Sequence, residues 1–516
     1  MKNYQISEET DLDVVNLALD TIKKEKQALV FVNTKRSAEK EAETISFKTE
    51  INDKRLEKIS EDVLKVLSRP TKQCERLARC IKKGTAFHHA GLAPKQRELV
   101  EDAFRDRLVK IICCTPTLAV GVDLPAFRTI LRDLKRFGTH GLNWIPVLEY
   151  LQQSGRAGRP KFDKYSESIT IAKTKGDKDI IHKIYINGEP EDIYSKLAVE
   201  PVLRTYLLSL IATDFVNSRK QIVEFFSKTF WAYQYKDMHQ LEIIIDKMLN
   251  LLEEWEFIKS SREEFVSADE VEDTNLKPTL LGKRVAELYL DPLTASYFIK
   301  CLRRAGNDVV KDFPLLQMVC HTLEMRPLLR TRVKEYAKVE EMLTTYDTYM
   351  LDKEPSMYET GYEAFFDSAK TALFMNDWVD ERDEEYLMEE YNIRPGEIKA
   401  KLDIADWLFY CTEEISKLQQ FHEIIKHIKK MRARLKYGAR EELLPLLRLK
   451  NIGRIRARKL FGNKIKTIGD VSKSDLTKLI QILGKATALN LKKQVGQEVK
   501  EVKKNKRKGQ KNIEDY

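Results

Sequence analysis

A chain of 516 residues is too long for one hydrophobic core, and at roughly 150 residues per domain it should hold three or four. Apolar residues make up 42% of it, no apolar run approaches the roughly 20 residues of a membrane span, and the opening MKNYQISEETDLD lacks the pattern of a secretory signal; the expectation is a folded, cytoplasmic protein with no membrane partner. Lys plus Arg exceeds Asp plus Glu by 90 − 80 = 10, and the excess gathers at Arg448–Lys459 and Lys492–Lys511, the pattern of a nucleic-acid-facing end. The seven cysteines are odd in number and show no CxxC spacing, which argues against a disulfide framework or a zinc site.

From the N-terminus, apolar runs at Ala28–Val32, Thr85–His88, Lys110–Thr115, Thr129–Leu131 and Ser168–Ala172 alternate with charged helical stretches. Continuous rather than alternating apolarity predicts strands buried on both faces of a parallel sheet, whose ligands gather at the C-terminal strand ends. The residues at those ends read FVNT (Phe31–Thr34), FHHAG (Phe87–Gly91), TPTLAVGVDLPA (Thr115–Ala126) and, further on, QQSGRAGRP (Gln152–Pro160).

In this order, the four segments resemble motifs IV, IVa, V and VI of the second RecA-like domain of superfamily 2 helicases. Arg156 and Arg159 are three apart, so they are expected as neighbours on one helical face, with Gly155 and Gly158 leaving room for a nucleotide. Two guanidinium groups so placed can grip phosphate oxygens and stabilise charge during phosphoryl transfer. The resemblance implies that Arg156 and Arg159 are arginine fingers and that Gln152 orients water or nucleotide. It also implies that Gly121 and Asp123, the latter where close relatives commonly carry Asn, touch the ribose side of ATP, and that Thr115 and Arg132 contact DNA. A complete motor also needs a Gly-rich loop with Lys and an acidic box for Mg²⁺. Neither is found: Gly282-Lys283 and Gly484-Lys485 are followed by Arg and Ala rather than Ser or Thr. ATP and Mg²⁺ are therefore expected to be held mainly by a first motor domain bearing Walker A and DExH motifs. We expect that domain on a separate polypeptide, as from a split gene, with a chain cut at the domain boundary as the alternative, and the chain alone to be inactive.

Between motifs V and VI, Arg132–Glu149 reads as a β-hairpin punctuated by Gly138, Gly141 and Asn143. In archaeal fork-processing helicases of the Ski-type group, which this region resembles, such a segment separates the strands. Phe137 could stack on the last base pair, a contact worth roughly 1–3 kcal/mol; alternatively Phe137 and Trp144 pack on the sheet.

After this RecA-like domain (1–190), Leu203–Ile211, Arg219–Lys228 behind Ser218, and Leu241–Glu254 read as helices, followed by strand-like Phe257–Lys259 and Phe265–Ser267, a winged helix over 191–290. Residues 291–440 read as helical and resemble the family's ratchet domain. There Trp407 matches an aromatic that stacks on unpaired bases, while the matching basic position is Ala400, flanked by Lys399 and Lys401; Trp378 reads as a packing residue. Residues 441–496 resemble a helix-hairpin-helix, whose turn at Asn451–Arg454 would face a phosphate with Arg454, Arg456 and Arg458 adding charge. Asn451, where Gly is usual, tolerates a left-handed backbone. The basic tail 497–516 carries Gln510, Ile513 and Tyr516 at the spacing of a sliding-clamp-binding box without its second aromatic.

The expected fold class is thus an α/β RecA-like parallel-sheet domain followed by mostly α domains. The expected function is the C-terminal portion or subunit of an ATP-dependent 3′–5′ DNA helicase acting on forked or single-stranded DNA in replication-linked repair. The alternatives are an RNA helicase of the same group and a non-catalytic DNA-binding regulator derived from a helicase.

Overall fold

The computed structural model describes residues 5–67, 69–138, 141–158, 163–197, 199–260, 275–306 and 310–496. Two units divide it, Met1–Pro292 with Asp383–Asp403, and Leu293–Arg382 with Ile404–Tyr516.

In the first unit the apolar runs become β1 (Ala28–Phe31), β2 (Thr85–His88), β3 (Ile111–Cys114) and β4 (Arg128–Leu131). A hairpin follows, β5 (Lys135–Gly138) and β6 (Gly141–Trp144), and then β7 (Glu167–Thr170). The sheet order is β2-β3-β1-β4-β7 with every pair parallel. The first four of these strands are buried along their whole length, while edge strand β7 is partly exposed.

Helices pack against the sheet because their starts are specified locally. Thr34, Asp53 and Thr71 accept hydrogen bonds from the first-turn amides of Lys35–Ser46, Lys54–Leu64 and Lys72–Lys82. One core joins them, in which Leu29, Phe31, Phe87 and Phe104 are almost fully buried. Each such side chain stabilises the fold by about 1.5–3 kcal/mol. All seven cysteines are buried and none is in a disulfide, and burial pushes the Cys80 thiol up to about 12, the behaviour of small core residues rather than ligands or nucleophiles.

Arg128 is a charged residue in this core, 1% exposed. Its guanidinium donates to Asp20 (2.8 Å), Glu167 (2.7 Å), the Leu17 carbonyl (2.9 Å) and Thr21 (2.8 Å). A buried charge is tolerable only when so fully paired.

The same unit continues with the helices Glu200–Ala212, Arg219–Ser227, Phe230–Tyr235 and Met238–Glu254, the second capped by Ser218 and the last by Asp237. The hairpin after them pairs β8 (Ile258–Ser260) with β9 (Leu276–Pro278). The expected strand Phe265–Ser267 lies outside the described residues.

In the second unit Tyr362–Val379 is the central helix, with Phe365, Phe366, Phe374 and Met375 buried. Trp378 donates to the Leu435 carbonyl (2.7 Å), and a Cβ on Gly438 (φ +60°) would fall 2.6 Å from its ring, so it is a packing residue. A separate core of Leu443, Leu446, Leu449, Ile452, Ala457, Leu460, Leu479 and Leu491 holds the short terminal helices together. Among the described residues no helix is long and apolar enough to cross a membrane.

Candidate nucleotide and nucleic-acid site

The expected site residues follow the C-terminal ends of the parallel strands. After β3, Thr115 is buried, its hydroxyl 2.9 Å from that of Thr117, and it leads into the 3-10 turn Pro116–Ala119. Gly121 follows at φ +80° with no atom within 4 Å of where a Cβ would sit, so the turn selects Gly for its backbone and presents open space. Asp123 is exposed beside it.

The helix Val147–Ser154 carries exposed Gln152 in its last turn. It ends there, which corrects the expectation that Arg156 and Arg159 share a helical face. The chain leaves the helix because Ala157 forms a bridge with Ala126: the Ala126 amide donates to the Arg156 carbonyl (2.9 Å) and the Gly158 amide to the Ala126 carbonyl (2.8 Å). Gly158 at φ +135° permits this turn. Arg156 then lies over the segment after β3, its Nε donating to the Ala119 carbonyl (3.0 Å). The structure therefore brings Gly121, Asp123 and Arg156 onto neighbouring segments through backbone pairing, not helical periodicity. Arg159 lies outside the described residues.

Two further residues hold this arrangement and left no signal in the sequence. Glu191 accepts from the amides of Val147 (2.6 Å) and Leu148 (3.1 Å), capping the helix of Gln152, and those hydrogen bonds lower its pKa. Glu149 on that helix binds Arg136 of β5 (2.9 Å), tying the hairpin to it. Only geometry reveals such pairs, because nothing in the spacing distinguishes these glutamates from solvated ones.

The hairpin is antiparallel, with Lys135 opposite Trp144 and Gly138 opposite Gly141. Trp144 packs against a small cluster containing Leu134, Ile145, Tyr150 and Tyr185, and the Lys135 ammonium lies 4.3 Å from its ring centre. The Phe137 side chain lies outside the described residues. Arg132, at the hairpin base, is engaged by Glu41 (2.7 Å) and Asp133 (2.5 Å).

At the C-terminal end of edge strand β2, His89 is fully buried with its ring 3.3 Å from Glu39; burial lowers the histidine's pKa. Burial works against ionisation of Glu39 too, but hydrogen bonds from His89 and Gln73, with the nearby Arg394, bring its carboxyl down to about 2. This cluster braces the start of the Pro395–Leu418 helix, where the Gly396 amide donates to the Gly91 carbonyl (2.9 Å) and a Cβ on Gly396 would meet the Ala90 carbonyl at 2.2 Å. Further along that helix, Lys399 pairs with Asp403 (2.5 Å) and Trp407 is half-buried.

In the terminal core, Asn451 has φ +65°, the left-handed turn that the sequence suggested. Of the three arginines after it, Arg454 stacks over Trp378 (4.4 Å) and donates to the Arg382 carbonyl (3.1 Å). Arg458 is held by Glu381 (2.8 Å) and Glu442 (3.0 Å), pairing that raises its pKa. Arg456 is exposed and donates to the Asn451 carbonyl (2.8 Å). The tail with Gln510, Ile513 and Tyr516 lies outside the described residues.

A five-stranded parallel sheet of this order, with the turn after β3 paired to the arginine-bearing turn, has the RecA-like architecture of a helicase C-terminal domain. Residues 11–161 match the helicase conserved C-terminal domain, 166–259 a helix-turn-helix domain and 313–438 the archaeal helicase domain 4. The chain thus carries three helicase-associated domains in this order and matches the C-terminal part of its relatives. Its relatives include proteins named ATP-dependent DNA helicase Hel308. That of Methanococcus vannielii is 37% identical over 510 residues, covering 92% of this chain and 66% of the relative. That of Methanocella arvoryzae is 37% identical over 498 residues (94% and 65%), and that of Pyrococcus horikoshii 36% over 496 (95% and 66%). The chain thus spans just under two thirds of their length.

Proposed function

We propose that this chain is the C-terminal portion of an ATP-dependent 3′–5′ DNA helicase that acts on forked or single-stranded DNA in replication-linked repair. In this reading the loop that cradles ATP phosphates and the acidic box for Mg²⁺ come from outside these 516 residues. The observation that carries it is the pairing of Ala126 with Ala157, together with the hydrogen bond of Arg156 to the Ala119 carbonyl, two residues before Gly121.

The residues present fit one side of a nucleotide: Gly121 offers open space, Asp123 and Gln152 are exposed, and Arg156 brings positive charge. In this reading Mg²⁺ is held mainly by the acidic box that lies outside these residues. ATP supplies the transferable phosphoryl group. Arg156 and Arg159 stabilise charge on it, Gln152 orients the attacking water, and Gly121 and Asp123 hold the ribose side. For Arg156 this means exchanging the Ala119 carbonyl for a phosphate oxygen. Thr115, Phe137, Lys399, Trp407 and the exposed Arg456 contact DNA in this reading, while Arg132, Arg454 and Arg458, expected beside them, hold the DNA-facing segments in place through their own partners.

The test is directional. An equimolar mixture of this chain with a polypeptide bearing Walker A and DExH motifs should unwind forks with a 3′ tail and not those with only a 5′ tail. Equal or better unwinding of the 5′-tailed fork, or of a matched RNA fork, would count against the proposal.

A further inference from the structure

The helix His422–Tyr437 presents His422, Lys426, Lys429 and Lys430 at intervals of three and four residues, hence on one face. With the short helix Leu444–Leu447 and Arg448 it lines a cavity of about 640 Å³ whose floor is apolar: Ile425, Ala433, Tyr437, Leu444 and Leu447. Two of the cations are engaged, Lys430 with Glu441 (2.5 Å) and Lys429 with Glu413 (3.7 Å). His422, Lys426 and Arg448 are exposed and form no ion pair among the described residues. Nothing in the fold accounts for an open groove with positive charge on its rim and an aromatic ring in its floor.

We propose that this groove is a track for single-stranded DNA, separate from the Lys399–Trp407 helix segment and from the Asn451–Arg456 turn. Its chemistry suits a polyanion with one charge and one flat apolar face per unit. Cations strung along a helix, roughly 6 Å apart from Lys426 to Lys430 at 1.5 Å per residue, follow a phosphate backbone, while Tyr437 and the aliphatic floor receive bases. Arg448 on the rim is followed in the chain by two further exposed cations, Lys450 and Arg456. An acidic protein segment shares the charge preference but would engage the rim at a few points rather than along its length.

The inference rests on the reading of the chain as DNA-handling, and one titration separates the two. Fluorescence anisotropy of a labelled oligothymidylate, followed with the full chain over a range of salt, compares the native protein with Lys426→Glu/Arg448→Glu and with the milder Lys426→Gln/Arg448→Gln. Both sites are exposed, and thermal unfolding checks that the variants are folded. The Glu pair should weaken binding at least tenfold at low salt. The Gln pair should flatten the slope of log K against log salt by about 1.4, at roughly 0.7 for each phosphate that is no longer neutralised. Oligonucleotide binding with native affinity and slope in both variants overturns the groove and leaves the DNA reading intact. No binding by the native chain overturns both. Poly-glutamate that binds the native chain, fails to bind the variants and does not compete with the oligonucleotide assigns the groove to a protein partner and overturns the proposal.

Discussion

The arginines of the parallel sheet and those of the terminal helical core make an instructive pair. In the sheet, Arg128 opens β4 and Arg132 follows it, and each guanidinium is fixed by at least one carboxylate from a distant part of the chain, Asp20 for Arg128 and Glu41 for Arg132. In the terminal core, Arg454 and Arg458 are likewise held, one on Trp378 and one on Glu381, while Arg456 between them faces solvent. Arginines spaced for phosphate recognition therefore divide into anchors and available cations. What divides them is whether a carboxylate or aromatic ring arrives from elsewhere: Asp20 stands 108 positions from Arg128, and Glu381 stands 77 from Arg458. Arg156 belongs to neither class, because its partner is a single backbone carbonyl that a phosphate can replace.

The largest effect should come from that third kind. Arg156→Ala in the reconstituted motor should lower DNA-stimulated phosphate release by about a thousandfold or more with little change in thermal unfolding; a drop of less than tenfold would place Arg156 among the anchors. Arg128→Met should do the reverse, lowering stability by about 3 kcal/mol because Asp20 and Glu167 lose their partner. Chemical unfolding measures it, and a loss below about 1 kcal/mol would mean that solvent reaches the site.

Next is a pH effect at Glu39. Its folded value of about 2 lies below the ordinary 4.5, so its charge stabilises the fold fully above pH 4.5, and that stabilisation is lost as pH falls toward 2. Glu39→Gln should destabilise by on the order of 2 kcal/mol at neutral pH, and the gap from the native protein should close between pH 4.5 and 2. A gap independent of pH would contradict an ionised Glu39. The smallest effect separates neighbours. Arg458→Ala should lower stability by under about 1 kcal/mol, since its guanidinium is partly exposed, and leave DNA affinity nearly unchanged. Arg456→Ala should do the opposite in the same unfolding and anisotropy measurements.

Four of the five sheet strands were legible because strands buried on both faces read as largely apolar runs, and Ala28–Phe31 and Thr85–His88 fall where those runs lie. The helix start at Arg219 was legible through Ser218, whereas the next helix was legible by its apolar face from Leu241 to Leu252 but begins earlier, at Met238 behind the Asp237 cap. The site was legible as motifs but not as geometry. Spacing alone put Arg156 on a helix, whereas the Ala126 bridge draws it off. Glu191, Glu149 and the approach of Gly396 to Gly91 depend on residues far apart in the chain, which no local pattern encodes.

The central claim, that this chain supplies the arginine side of a nucleotide site completed from elsewhere, is tested most directly by its ATP turnover. Measured on 3′-tailed DNA, turnover should be at background for the chain alone and rise with DNA when a polypeptide carrying Walker A and DExH motifs is added. Robust DNA-stimulated turnover by the chain unaided would contradict it.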